Sequence, residues 1–180
     1  MEIIYGIIIF VLIVLIVWAI SVSNKFNVLQ VKINEADSGI DVALTKRYDV
    51  LTKLMKVVKE YAKYEKETLF EVIKLRKGMS LDEKNQINEK MNKNMEKINV
   101  LAESYPELKA NDNFVTLQKA IVEVEEHLQA ARRLYNSNVS IFNQMLVTFP
   151  NSIIGNYKNL TSKPFFEADE TKKADVKMTF

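Results

Sequence analysis

The chain has 180 residues, of which 48% are hydrophobic and 27% charged, with a net charge of +2. That size fits one domain, and the charge balance is too even to argue for a nucleic-acid partner. With no Cys, disulfides, thiolate nucleophiles, zinc ribbons and iron–sulfur ligation are excluded, and four Gly and three Pro are too few chain breakers for a β-rich fold.

These averages conceal two kinds of segment. From Ile3 to Ile20 the run IIYGIIIFVLIVLIVWAI carries no charge. As a helix it would span roughly 27 Å, close to the hydrocarbon core of a bilayer. Tyr5 and Trp18 lie near its two ends, where interfacial aromatics belong. A cleaved signal peptide is the rival reading, and Ser21-Val22-Ser23 offers a small-x-small site. Against it, Glu2 replaces a basic leader and the apolar run exceeds the usual length. Residues 1–24 are therefore expected to be a transmembrane anchor, with the lipid bilayer as partner. Lys25 and Lys32 follow the run and no base precedes it. The positive-inside rule then puts the following domain in the cytoplasm of a single-pass cell-membrane protein.

Only Glu2 among the charged residues belongs to the anchor, so residues 25–180 carry 25 bases against 22 acids. The charges are interspersed, and no aromatic-interleaved basic patch or nucleic-acid motif appears.

After the anchor, Ile40, Leu44, Tyr48, Leu51, Met55, Val58 and Ala62 repeat at three and four, extended upstream by Ile33 and Ala36. This is one face of a helix over 25–62, continuous with the anchor and weakened at Gly39. A third apolar set follows in Leu69, Val72, Ile73 and Leu75, then Ile87, Met91, Met95, Ile98, Leu101 and Tyr105. It is interrupted at Gly78-Met79-Ser80, where Gly ends one helix and Ser80 starts the next with Glu83 at capping-box spacing. The periodicity alone leaves open whether Gly78 is a turn or a kink.

The cleanest stripe runs through Phe114, Leu117, Ile121, Val124, Leu128, Ala131, Tyr135, Val139, Phe142, Leu146 and Phe149. Asp112 or Asn113 is placed to cap it and Pro150 to stop it. Narrow stripes of matching length, joined by short connections, call for an antiparallel up-and-down bundle over 25–156. From Ile153 the period is lost, and 157–180 is expected to be mostly disordered. Phe165, Phe166 and Phe180 stand out there, read as exposed aromatics, a local dock or an interaction motif.

Residues for chemistry are scarce. His127 is the one histidine, and the Glu three positions before it that a di-iron bundle needs is replaced by Val124. No phosphate loop or catalytic triad pattern occurs. Carboxylate pairs such as Glu65 and Glu67, or Asp82 and Glu83, suit helix starts. No catalytic, metal or cofactor residues are expected, and the chain reads as a non-enzyme. Two polar spots remain, Arg47-Tyr48-Asp49 and Arg132-Arg133 with Tyr135. They adjoin or occupy stripes, and could fix helix register as buried ion pairs or hold a ligand.

Several stretches together resemble the LemA family of bacterial membrane proteins. They are Ile40–Asp49 (IDVALTKRYD), Tyr61–Leu69 (YAKYEKETL), Ala102–Asn111 (AESYPELKAN) and Ala130–Asn136 (AARRLYN), with Phe149–Ser152 (FPNS) and Pro164–Ala168 (PFFEA). The chain departs from the family pattern at Asp37-Ser-Gly39, where an aromatic is usual, and at Tyr64, where His is. The resemblance implies an N-terminally anchored, antiparallel four-helix bundle with a true turn near Gly78, and it brings no catalytic activity. The expected role is an interaction or scaffold protein for a membrane-associated or cytoplasmic partner. The alternatives are a small-molecule sensor or enzyme using the Arg47/Arg132/Arg133 region, and a homo-oligomeric membrane structural element.

Overall fold

A computed structural model describes residues 1–61 and 70–166, and every regular element among them is helical. α1 spans Glu2–Tyr61, α2 Leu81–Ser104, α3 Pro106–Lys109, α4 Asp112–Val147 and α5 Asn151–Tyr157. α1 is unbroken from the apolar run through Gly39, so the expected weak point does not interrupt it. The described residues form two compact units, one of 1–37 with 133–165 and the other of 38–132 with Phe166.

In the first unit the apolar run stands without protein cover. Ile3 to Val17 are exposed, and Trp18 and Ala19 are half-buried. This helix is long and apolar enough to cross a membrane. Beyond it, Val22, Phe26, Leu29, Ile33 and Ala36 of α1 are buried, as are Tyr135, Val139 and Phe142 of α4. Phe26 meets Phe142 edge to face at 5.7 Å between ring centroids, a favoured aromatic geometry. Asn138 donates to the Lys32 carbonyl at 3.3 Å. Partners that rise in number on α1 as they fall on α4 mean the two helices run antiparallel.

The chain after α4 has a defined course up to Phe166, unlike the disorder expected from residue 157. Lys158 donates to Ser23 Oγ at 3.0 Å and Asn27 Oδ1 at 2.7 Å. Asn143 accepts from the Lys163 N–H and donates to the Lys163 carbonyl, and Tyr135 donates to the Pro164 carbonyl at 3.3 Å. Side-chain amides supply the partners that the irregular backbone lacks. Residues 167–180, including Phe180, lie outside the described residues.

In the second unit, Leu51, Leu54 and Val58 of α1, Met91, Ile98 and Ala102 of α2, and Phe114 and Ile121 of α4 form one core with Ile73 and Leu108. α2 runs parallel to α1, since Asp41 pairs with Lys84 and Arg47 with Asn88 and Asn92. The helix expected through Val72, Ile73 and Leu75 is absent there, because 71–76 is non-helical, and Leu69 lies outside the described residues. This strand of chain is pinned to α2 by Asn94, whose side chain accepts from the Glu71 N–H at 2.7 Å and donates to the Glu71 carbonyl at 3.0 Å.

Gly78 is a turn. Its φ of +72° is left-handed, where a Cβ is disfavoured. Ser80 then caps α2 in the expected capping box, accepting from the Glu83 N–H and donating its own N–H to the Glu83 carboxylate. At α4 the cap is Asn111, one residue ahead of the expected Asp112 or Asn113. Its Oδ1 accepts from the Phe114 N–H at 3.1 Å while its Nδ2 donates to the Tyr61 hydroxyl at 2.9 Å. The side chain that reaches a partner on α1 is the one that starts the helix.

Candidate functional site

Six polar residues from three helices gather inside the second unit. The seam of α1 passes through Ile40, Leu44, Arg47, Leu51, Leu54 and Val58, all buried. The sequence stripe placed Tyr48 on this seam, but Tyr48 is half-buried and Arg47 takes the position. The seam of α2 is more polar still, running through Lys84, Asn88, Met91, Asn94, Ile98 and Ala102.

Arg47 is 6% exposed. Its guanidinium donates to Asn88 Oδ1 and, at 2.7 Å, to Asn92 Oδ1. It pairs with Glu125 Oε2 of α4 at 3.0 Å. Lys84, 1% exposed, reaches Asp41 Oδ1 at 2.8 Å. A buried cation without partners would be prohibitively costly, and each cation here has a carboxylate at its outer edge. Two cations face two carboxylates, and Arg47 and Lys84 each find partners within this same chain. An open cleft beside it is lined by Asp41, Thr45, Leu75, Arg76, Lys77 and Met79.

The arrangement can lock the helices in register. A one-turn slip of α4 past α1 would carry Glu125 away from Arg47 and leave a buried cation without its carboxylate, a penalty that an all-apolar seam would not impose.

The other sequence-predicted residues go elsewhere. Asp49 and Arg133 are exposed. Arg132 lies with its guanidinium 4.5 Å from the centre of the Phe166 ring, a cation–π distance. Tyr135 is buried, and the hydroxyl is held above the ordinary tyrosine range by that burial and by the nearby Asp37 charge. Arg47 of α1 is thus matched on α4 by Glu125, not by the Arg132 spot. Along the apolar run, Ile3, Tyr5 and Ile20 are exposed. His127 is exposed, 3.7 Å from Glu123.

Sequence reasoning missed Asp41, Lys84, Asn88, Asn92, Asn94, Asn111 and Glu125. Spacing was the available signal: 84, 88, 91, 94, 98 and 102 keep the three-and-four rhythm, but polar residues hold half the positions. A stripe sought among apolar residues alone passes over them.

The sequence profile of the LemA family matches residues 36–180. A protein LemA of Metamycoplasma hominis is 28% identical over 152 residues, covering 82% of this chain and 69% of the relative. The match takes in α1 from Ala36, the polar layer and the residues that follow α4, and on it this chain belongs to the LemA family.

Proposed function

We propose that the chain is a single-pass membrane protein that displays a rigid helical bundle to the cytoplasm and acts there by binding another protein, without catalysis of its own. The observation that carries this reading is the continuity of α1. One helix of 60 residues holds both the uncovered apolar run and the seam of the second unit. Lys25 and Lys32 after the run support the cytoplasmic side. In this reading α1, α2 and α4 are three legs of a four-legged up-and-down bundle. The inward-facing, internally paired polar layer supports a register role for Arg47 over a ligand role.

The test is photo-crosslinking in intact cells from probes on exposed positions such as Val100 and Val122, followed by detergent solubilisation. A discrete heterologous adduct is expected. Adducts composed of this chain alone would favour a homo-oligomeric structural element, and repeated absence of any adduct would remove the interaction reading.

A further inference from the structure

The membrane-proximal unit has a second apolar feature at the level where the anchor ends. α4 runs antiparallel to α1 with Phe142 beside Phe26. Five residues further on, Val147 stands level with about residue 21, one rise per residue on each helix. The apolar run ends at Ile20. α5 is tied to the same level: Lys158 bonds Ser23 and Asn27, and a Cβ on Gly155 would lie 3.6 Å from the Phe26 ring.

At this corner Val147 is 83% exposed, Phe149 77%, Ile153 53% and Tyr157 86%. Single exposed apolar residues are ordinary, whereas four on one short corner ask for a cover. Charge gives the second observation. Neither 3–34 nor 133–165 contains an Asp or Glu, while Lys25, Lys32, Arg133, Lys158 and Lys163 fall within those stretches. A carboxylate-free, basic end with protruding aromatics, at the depth of Trp18, matches the chemistry of an anionic bilayer surface.

We propose that the α4–α5 corner is a second membrane contact, with Val147, Phe149, Ile153 and Tyr157 seated at the boundary of headgroups and acyl chains and Lys158 and Lys25 among anionic phosphates. The contact rests on the reading of residues 3–20 as a bilayer span. It fixes the membrane-proximal unit against the leaflet.

Because the chain lacks Cys, the full protein in vesicles of phosphatidylcholine with phosphatidylglycerol tests this through single fluorophores. The variants are Phe149→Cys, Tyr157→Cys, Val11→Cys within the span and Leu134→Cys on α4, roughly 20 Å above the corner. Quenching by nitroxide lipids is read with the nitroxide at the headgroup or deep in the acyl chain. The labels at 149 and 157 should be quenched most by the headgroup nitroxide, that at 11 by the deep one, and that at 134 by neither. Quenching at 11 with none at 149 and 157 overturns the corner contact and leaves the span intact. No quenching at any position overturns the span itself. Blue-shifted emission at 149 and 157 without quenching means a protein surface covers the corner, and also overturns the proposal.

Discussion

Arg47 sets the character of the second unit through a single side chain. Its stem packs in an apolar seam while its head bonds Asn88, Asn92 and Glu125. Removing one partner of a buried pair leaves the other uncompensated, so Arg47→Ala should cost about 3–5 kcal/mol in chemical denaturation. Pairing it with Glu125→Gln should cost less than the two single changes added together, which a double-mutant cycle reads directly. Additive losses would mean the pair is not coupled. Tyr135 gives a pH prediction. Burial, then Asp37, holds its hydroxyl above the usual value of about 10. The folded state therefore keeps its proton when the unfolded state begins to lose it. Its contribution is whole below about pH 10 and is lost as pH rises through the folded value. Thermal melts should fall above about pH 10, and Tyr135→Phe should flatten that alkaline decline.

Among the elements, α4 was the most legible. Phe114, Ile121, Val124, Leu128, Tyr135, Val139 and Phe142 are buried at the predicted spacing, because an apolar stripe at helical period has one way to hide. Ile121 is 6% exposed and packs in the core of its unit. Ile121→Ala should cost about 2–5 kcal/mol, and Val122→Ala, on an exposed neighbour, should be close to neutral. Equal effects on the denaturation midpoint would mean the helix faces are misassigned. The stripe overran at its end, where Phe149 is 77% exposed. The segment before α2 was less legible. Val72, Ile73 and Leu75 read as helical, but Asn94 offers the Glu71 backbone both a donor and an acceptor. That outside pairing replaces what a helix would have supplied internally.

At the scale of the whole molecule, the uncovered apolar run decides how the chain meets its surroundings. It is long and apolar enough to cross a membrane, and its most apolar window has no protein cover. Alkaline extraction should leave the full chain in the membrane pellet. Impermeant thiol reagents should label a Cys introduced at Val28 only from the cytoplasmic side if the bases after the run set orientation. Labelling from outside would reverse the sidedness without touching the span.

The sequence by itself determined what is local: the apolar run, the helical period, the capping box at Ser80 and Glu83, and the scarcity of reactive groups. Each depends on residues within a few positions of one another, where chemistry and spacing are visible together. The family resemblance could also be read from short stretches in order. Tertiary structure decided the phase of the α1 seam, since one position on a helix is about 100° of rotation and Tyr48 is apolar enough to pass for the seam. It decided that Lys84, Asn88 and Asn94 sit inside, because a polar residue declares itself buried only when its partner is known. Those partners lie far away in sequence, as with Asn111 and Tyr61, or Lys158 and Ser23. No period along the chain encodes such pairs; they follow from which helices come together and in which direction.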